Sequence, residues 1–101
     1  MLDDYQAIAD RARQAWAATT EALPPGKSIT GVVIGRQPFG VFVRIDGAPD
    51  ALGLVEVTTL PGDAWLPAVG DTVAGEVIGH ADHNHQIRIR LSRASGRQPL
   101  T

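Results

Sequence analysis

Two phenylalanines three residues apart, Phe39 and Phe42, stand in the stretch "RQPFGVFVRIDG", with Arg36 and Arg44 on either side. Aromatic faces open to solvent stack on nucleobases, each stack being worth about 1–3 kcal/mol, and neighbouring guanidinium groups hold phosphate or stack in turn. Val41, Val43 and Ile45 alternate with Phe42 and Arg44. An extended chain sends alternate side chains to opposite faces, so with the aliphatic set turned to a core, Phe42 faces outward beside Arg44. The alternative is that the N-terminal helix or a loop covers it. Proline and glycine around Phe39 break the strand phase, and parity assigns that ring no direction.

Other candidate chemistry is weaker. His80, His83 and His85 surround Asp82 in "HADHNH". Imidazole and carboxylate are metal ligands, but this spacing matches no regular zinc motif and suits a hairpin tip, where such residues tolerate positive φ. No metal site is expected there. "PGKS" at 25–28 resembles the end of a phosphate-binding loop, yet the glycine that such a loop needs five positions earlier is Glu21. No serine–histidine–acid set or motif-placed carboxylate pair assembles, and the absence of cysteine excludes thiol chemistry. The expectation is a non-enzyme without cofactors.

The elements that must position these residues follow from periodicity. Tyr5, Ile8, Ala12, Trp16, Thr19 and Leu23 recur at steps of three and four, predicting one amphipathic helix over 3–23 that docks on the protein's own core. Asp3 or Asp4 caps it, and "LPPG" ends it. After Gly26 the period changes to two. Strands are predicted at 28–36, 41–46, 52–58, 72–80 and 86–92, divided by glycine, proline and aspartate. The long connection "TLPGDAWLPAVGD" separates the third and fourth, and its Trp65 and Leu66 are expected to plug the bottom of a barrel. Five strands linked this way suggest a mainly β fold, a Greek-key barrel of the oligonucleotide/oligosaccharide-binding (OB) type with an N-terminal amphipathic α-helix. In the fifth strand Ile87, Ile89 and Leu91 alternate with Arg88, Arg90 and Ser92.

The 101 residues suffice for one domain, and 44% apolar with 20% charged residues is an ordinary globular balance. No apolar run is long enough for a membrane span, and the acidic start "MLDDYQ" is unlike a secretory signal. A cytoplasmic protein without membrane contact is expected. Net charge is −2, all of it in residues 1–26, where four acids face two arginines. A global basic field is therefore excluded, although a local basic patch is not.

The ordered motifs "GVVIGRQPFGVFVRIDGAPDALGLVEVTTL", "VGDTVAGEVIG" and "QIRIRLS" together resemble the S1 RNA-binding domain family over about residues 26–93. That resemblance implies a five-stranded OB barrel binding single-stranded RNA; residues 1–25, a helix and linker, lie outside the shared barrel, and 94–101 read as a frayed tail. By the same resemblance, the RNA surface falls on Phe39, Phe42, Asp82 and Arg88, with Arg44 beside them. Glu56 stands where the family usually has a histidine, and a carboxylate there repels phosphate by about 1 kcal/mol at close range. Arg36 and Arg44 offset it. Weak single-stranded RNA binding is the first expectation. The second is a protein-interaction module that keeps the S1-like barrel without strong RNA affinity, using the same apolar patch or the helix.

Overall fold

The computed structural model describes residues 2–60 and 66–94. Two helices, α1 (Leu2–Gln14) and α2 (Trp16–Ala22), precede five strands: β1 (Ser28–Gln37), β2 (Gly40–Ile45), β3 (Leu52–Glu56), β4 (Thr72–Ala81) and β5 (Gln86–Ala94). The strands close into a barrel in the order β1-β2-β3-β5-β4. All pairings are antiparallel except β3 with β5, a short parallel contact that matches Gly53 to Ile87 and Leu54 to Arg88. This is the five-stranded OB-type barrel that the alternation of β-branched residues predicts. A one-turn 3-10 helix, Val57–Thr59, ends β3 two residues before its predicted limit. The Thr59 hydroxyl donates to the Glu56 carbonyl there at 2.7 Å, supporting the turn.

The barrel interior is aliphatic. Val33, Val41, Val43, Ile45, Val55, Val73, Val77, Ile87 and Ile89 are buried at alternate positions, and Leu23 closes one end. Leu66 packs against this core, as expected for a plug, while Trp65 lies outside the described residues, as does the expected tail apart from Ala94, which ends β5. At the start of β2, Gly40 approaches β3 so closely that a Cβ there would collide with the Val55 carbonyl oxygen. Only glycine fits that crossing.

A second apolar cluster sits on the outside of the barrel. Phe42, Leu52 and Leu54, outward-facing apolar residues of β2 and β3, are covered by Ile8 and Ala12 of α1, with Ala9 and Ile34 at the margin. The amphipathic stripe predicted for one helix is thus divided between two docking surfaces. Ile8 and Ala12 rest on the barrel wall, whereas Trp16 and Leu23 pack against the barrel core. The helix breaks at Ala15, with φ −100° and ψ 13°, so that each half meets its own surface. Backbone bonds from Ala15 to Arg11 and from Thr19 to Ala15 still span the bend. No helix among the described residues is long and apolar enough to cross a membrane.

Candidate nucleic-acid interface

The strand registers place one row of residues across four strands of the outer wall. Gly35 is opposite Phe42, Phe42 opposite Leu54, and Leu54 opposite Arg88. The next rung runs from Gln37 through Gly40 to Glu56. Gly35 lies beneath the Phe42 ring, and a Cβ there would meet it at an ordinary packing distance of 3.5 Å. Of the six residues expected in the interface, Phe42, Glu56 and Arg88 therefore share one wall, and Phe39 joins them from the β1–β2 turn.

Phe42 is not open to solvent. It points outward, as parity requires, but α1 lies over it and leaves it 7% exposed. The expectation of a solvent-facing ring is corrected on that point, and the physical reason is apolar burial: covering such a side chain stabilises by about 1.5–3 kcal/mol. Phe39 is 51% exposed and meets Phe42 edge-to-face, with ring centroids 6.0 Å apart at 82°. That geometry is a favoured aromatic contact and holds the outer ring by the buried one. The Phe39 carbonyl also accepts from the Val57 N–H at 2.8 Å, fixing the turn against the end of β3.

Glu56 and Arg88 are bound to one another. Arg88 Nη2 donates to Glu56 Oε1 at 2.8 Å, both side chains being partly exposed. An ion pair so accessible adds at most about 1 kcal/mol to stability. Its consequence is electrostatic: the carboxylate expected to repel phosphate is compensated where it stands. Arg44, between Val32 and Leu52 in the sheet, is exposed, and no ion pair reaches it among the described residues.

Asp82 lines a cleft together with Leu54, Glu56 and Arg88, at the wall's β5 side. Its carboxylate accepts from Trp16 Nε1 at 3.0 Å, and the indole lies edge-on to His80 and His85, at 6.0 and 5.5 Å. His80 Nε2 donates to the Leu23 carbonyl at 2.8 Å, a direction set by the carbonyl being an acceptor only. The histidine-rich β4–β5 turn thus clasps the helical segment, and His85 takes the positive φ, 59°, foreseen for such a tip. Among the described residues no three His, Asp or Glu side chains are placed to hold a metal ion. A parallel clasp joins Arg11 to Asp50 at 3.1 Å, across the β2–β3 turn.

The covering of Phe42 by the N-terminal helix, the alternative to an open ring, is the arrangement found. Its signal lies in β3: Leu52 and Leu54 share the outward parity of Phe42, and three large apolar side chains on one outer wall require a cover.

No protein-family model and no curated protein sequence matches the chain. Solved structures do. A structure of Mycoplasma genitalium RNase R in complex with ribose methylated single-stranded RNA superposes with a TM-score of 0.62 at 18% identity, covering 88% of this chain and 15% of that one. GSP13 from Bacillus subtilis gives 0.58 at 23% identity, covering 77% of this chain and 65% of that one. An uncharacterized protein from Methanocaldococcus jannaschii gives 0.55 at 21%, covering 67% and 90%. The chain thus spans less than two thirds of GSP13 and a small part of RNase R. Taken with the barrel order and the motifs along it, these likenesses identify the fold of this chain as the S1-like OB barrel.

Proposed function

We propose that this chain is a non-catalytic, cytoplasmic binding module for single-stranded RNA, and that a base stacks on Phe39 rather than on both phenylalanines. The observation that carries this reading is the Phe39 ring, half exposed, braced by Phe42 and next to the Glu56–Arg88 pair on one wall. Phe42 is the support beneath the platform. Arg44 supplies positive charge on the same face, with Arg36 exposed near the end of β1 on the other facing, and Asp82, tied to Trp16, edges the cleft that Glu56 and Arg88 line. The fold is shared with part of RNase R, a protein solved with single-stranded RNA. Because the whole chain carries −2, affinity is expected to be weak.

The test is a titration of the isotopically labelled chain with short single-stranded RNA at low salt, followed by NMR. Amide shifts are expected at Phe39, Gly40, Glu56 and Arg88, and Phe39→Ala is expected to weaken binding by about 1–3 kcal/mol. The absence of any shift on this wall would remove the reading. A second reading has its own observation: Phe39 and Val57, both exposed apolar residues, are joined by a backbone bond and offer a small patch for a protein partner. Capture of a partner that survives nuclease treatment and is lost on Phe39→Ala would favour it.

A further inference from the structure

We propose that the Glu56–Arg88 pair selects the base that stacks on Phe39, and that the base it favours is guanine. The inference rests on the RNA-binding reading above and adds a ligand preference to it. The register makes Glu56 the partner of Gly40, the residue after Phe39, and the Phe39 carbonyl binds the amide of Val57, the residue after Glu56. The aromatic turn and the carboxylate are therefore side by side, with only the backbone of Gly40 between them on that rung. A base resting on the Phe39 ring turns an edge towards the ion pair.

That edge meets a fixed pattern. A carboxylate only accepts hydrogen bonds and a guanidinium only donates them. Oε1 of Glu56 takes one bond from Arg88, and among the described residues no other side-chain bond reaches the carboxylate. Arg88 uses one of its five N–H groups in the same contact. The pair thus offers further acceptors next to further donors, the two groups being tied by their own 2.8 Å bond. Guanine presents two adjacent donors, N1–H and the 2-amino group, beside the O6 acceptor. The donors suit the carboxylate and O6 suits the guanidinium. Cytosine and adenine each bring one exocyclic amine beside a ring acceptor. Uracil places N3–H between two carbonyl oxygens, one of which must face the carboxylate. The order expected is guanine first and uracil last.

The same pairing explains how a carboxylate is tolerated on such a wall. Arg88 cancels its charge locally, and the base edge, not the phosphate, is what Glu56 meets. A lone arginine here would bind phosphate without regard to sequence.

The experiment measures binding of the full chain to short oligouridines that carry one central guanosine, adenosine, cytidine or inosine, by fluorescence anisotropy. The guanosine strand is expected to bind about tenfold more tightly than unsubstituted oligouridine. Inosine, which lacks the 2-amino group, is expected to lose most of that gain. Glu56→Gln, a near-isosteric change at a partly exposed position, is expected to reduce the preference to less than about twofold while oligouridine affinity rises, because Arg88 is freed to meet phosphate. Equal affinity for all strands overturns the proposal and leaves RNA binding standing. A guanosine preference unchanged in Glu56→Gln overturns it as well, because another group must then read the base. Binding of none of the strands removes the RNA-binding reading, and this inference with it.

Discussion

Phe39 and Phe42 are three residues apart and in ring contact, yet their substitution has opposite consequences. Phe42 lies between the β-sheet wall and α1, so Phe42→Ala opens a cavity in a packed cluster with Ile8, Leu52 and Leu54. A loss of about 3–5 kcal/mol in unfolding free energy is expected, measured by urea titration. Phe39 is half exposed, and its removal forfeits one edge-to-face contact, worth about 0.5–1.5 kcal/mol. A loss of RNA binding in Phe42→Ala therefore has to be corrected for the unfolded fraction, whereas in Phe39→Ala it reports the surface directly. Comparable destabilisation by the two substitutions would contradict this division. Strand alternation reads the side to which Phe42 points, because parity is local. It does not read the cover, because that depends on Ile8, more than thirty residues away along the chain. The Glu56–Arg88 bond is hidden for the same reason: it joins positions 32 apart, through the parallel contact of β3 with β5.

Helix α1 is held differently from the barrel it covers. Strands β1 to β5 share a continuous aliphatic interior, while α1 contributes Ile8, Ala12 and part of Ala9 to the outer cluster, with the exposed Arg11–Asp50 bond beside them. Alanines favour the helix but bury little area, so Ile8 supplies most of the apolar anchorage. Ile8→Ala is expected to cost about 2–3 kcal/mol, towards the lower end for a buried isoleucine because the site lies under a single helix that can settle. Amide hydrogen exchange gives the sharper test. Protection is expected to fall in α1 and in the outward rows of β2 and β3, with β4 and β5 unchanged. A uniform loss of protection would mean that helix and barrel unfold as one unit. The strands were legible from glycine-punctuated alternation, and their limits fall within about two residues of those expected. The helix was legible as a stripe. Its break at Ala15 was not, since alanine has no bias against helix and the bend arises from two separate docking surfaces.

Charge acts over the whole molecule, and it limits how this protein meets a polyanion. Among the described residues Arg11, Arg13, Arg88 and Arg90 are each engaged with a carboxylate. Arg44, on the face of Phe42, and Arg36, exposed near the β1–β2 turn on the other facing, have no such bond among the described residues, whereas Lys27 sits at the far end of β1, about 30 Å of strand away. About two cations are thus free to displace counterions near Phe39. For a single strand the slope of log affinity against log salt is about −0.7 per phosphate neutralised, so a slope near −1.4 is expected. A fourfold rise in salt then weakens binding about sevenfold, a modest change for a nucleic-acid binder. Arg44→Gln is expected to reduce the slope by about 0.7 while leaving base preference unaltered, because a phosphate contact carries no sequence information. Glu56→Gln should do the reverse in one respect, steepening the slope as Arg88 is freed to meet phosphate. A wild-type slope of about −3 would mean that Arg88 and Arg90 already leave their carboxylates on binding. Glu56 would then be too poorly held to present an ordered acceptor to a base.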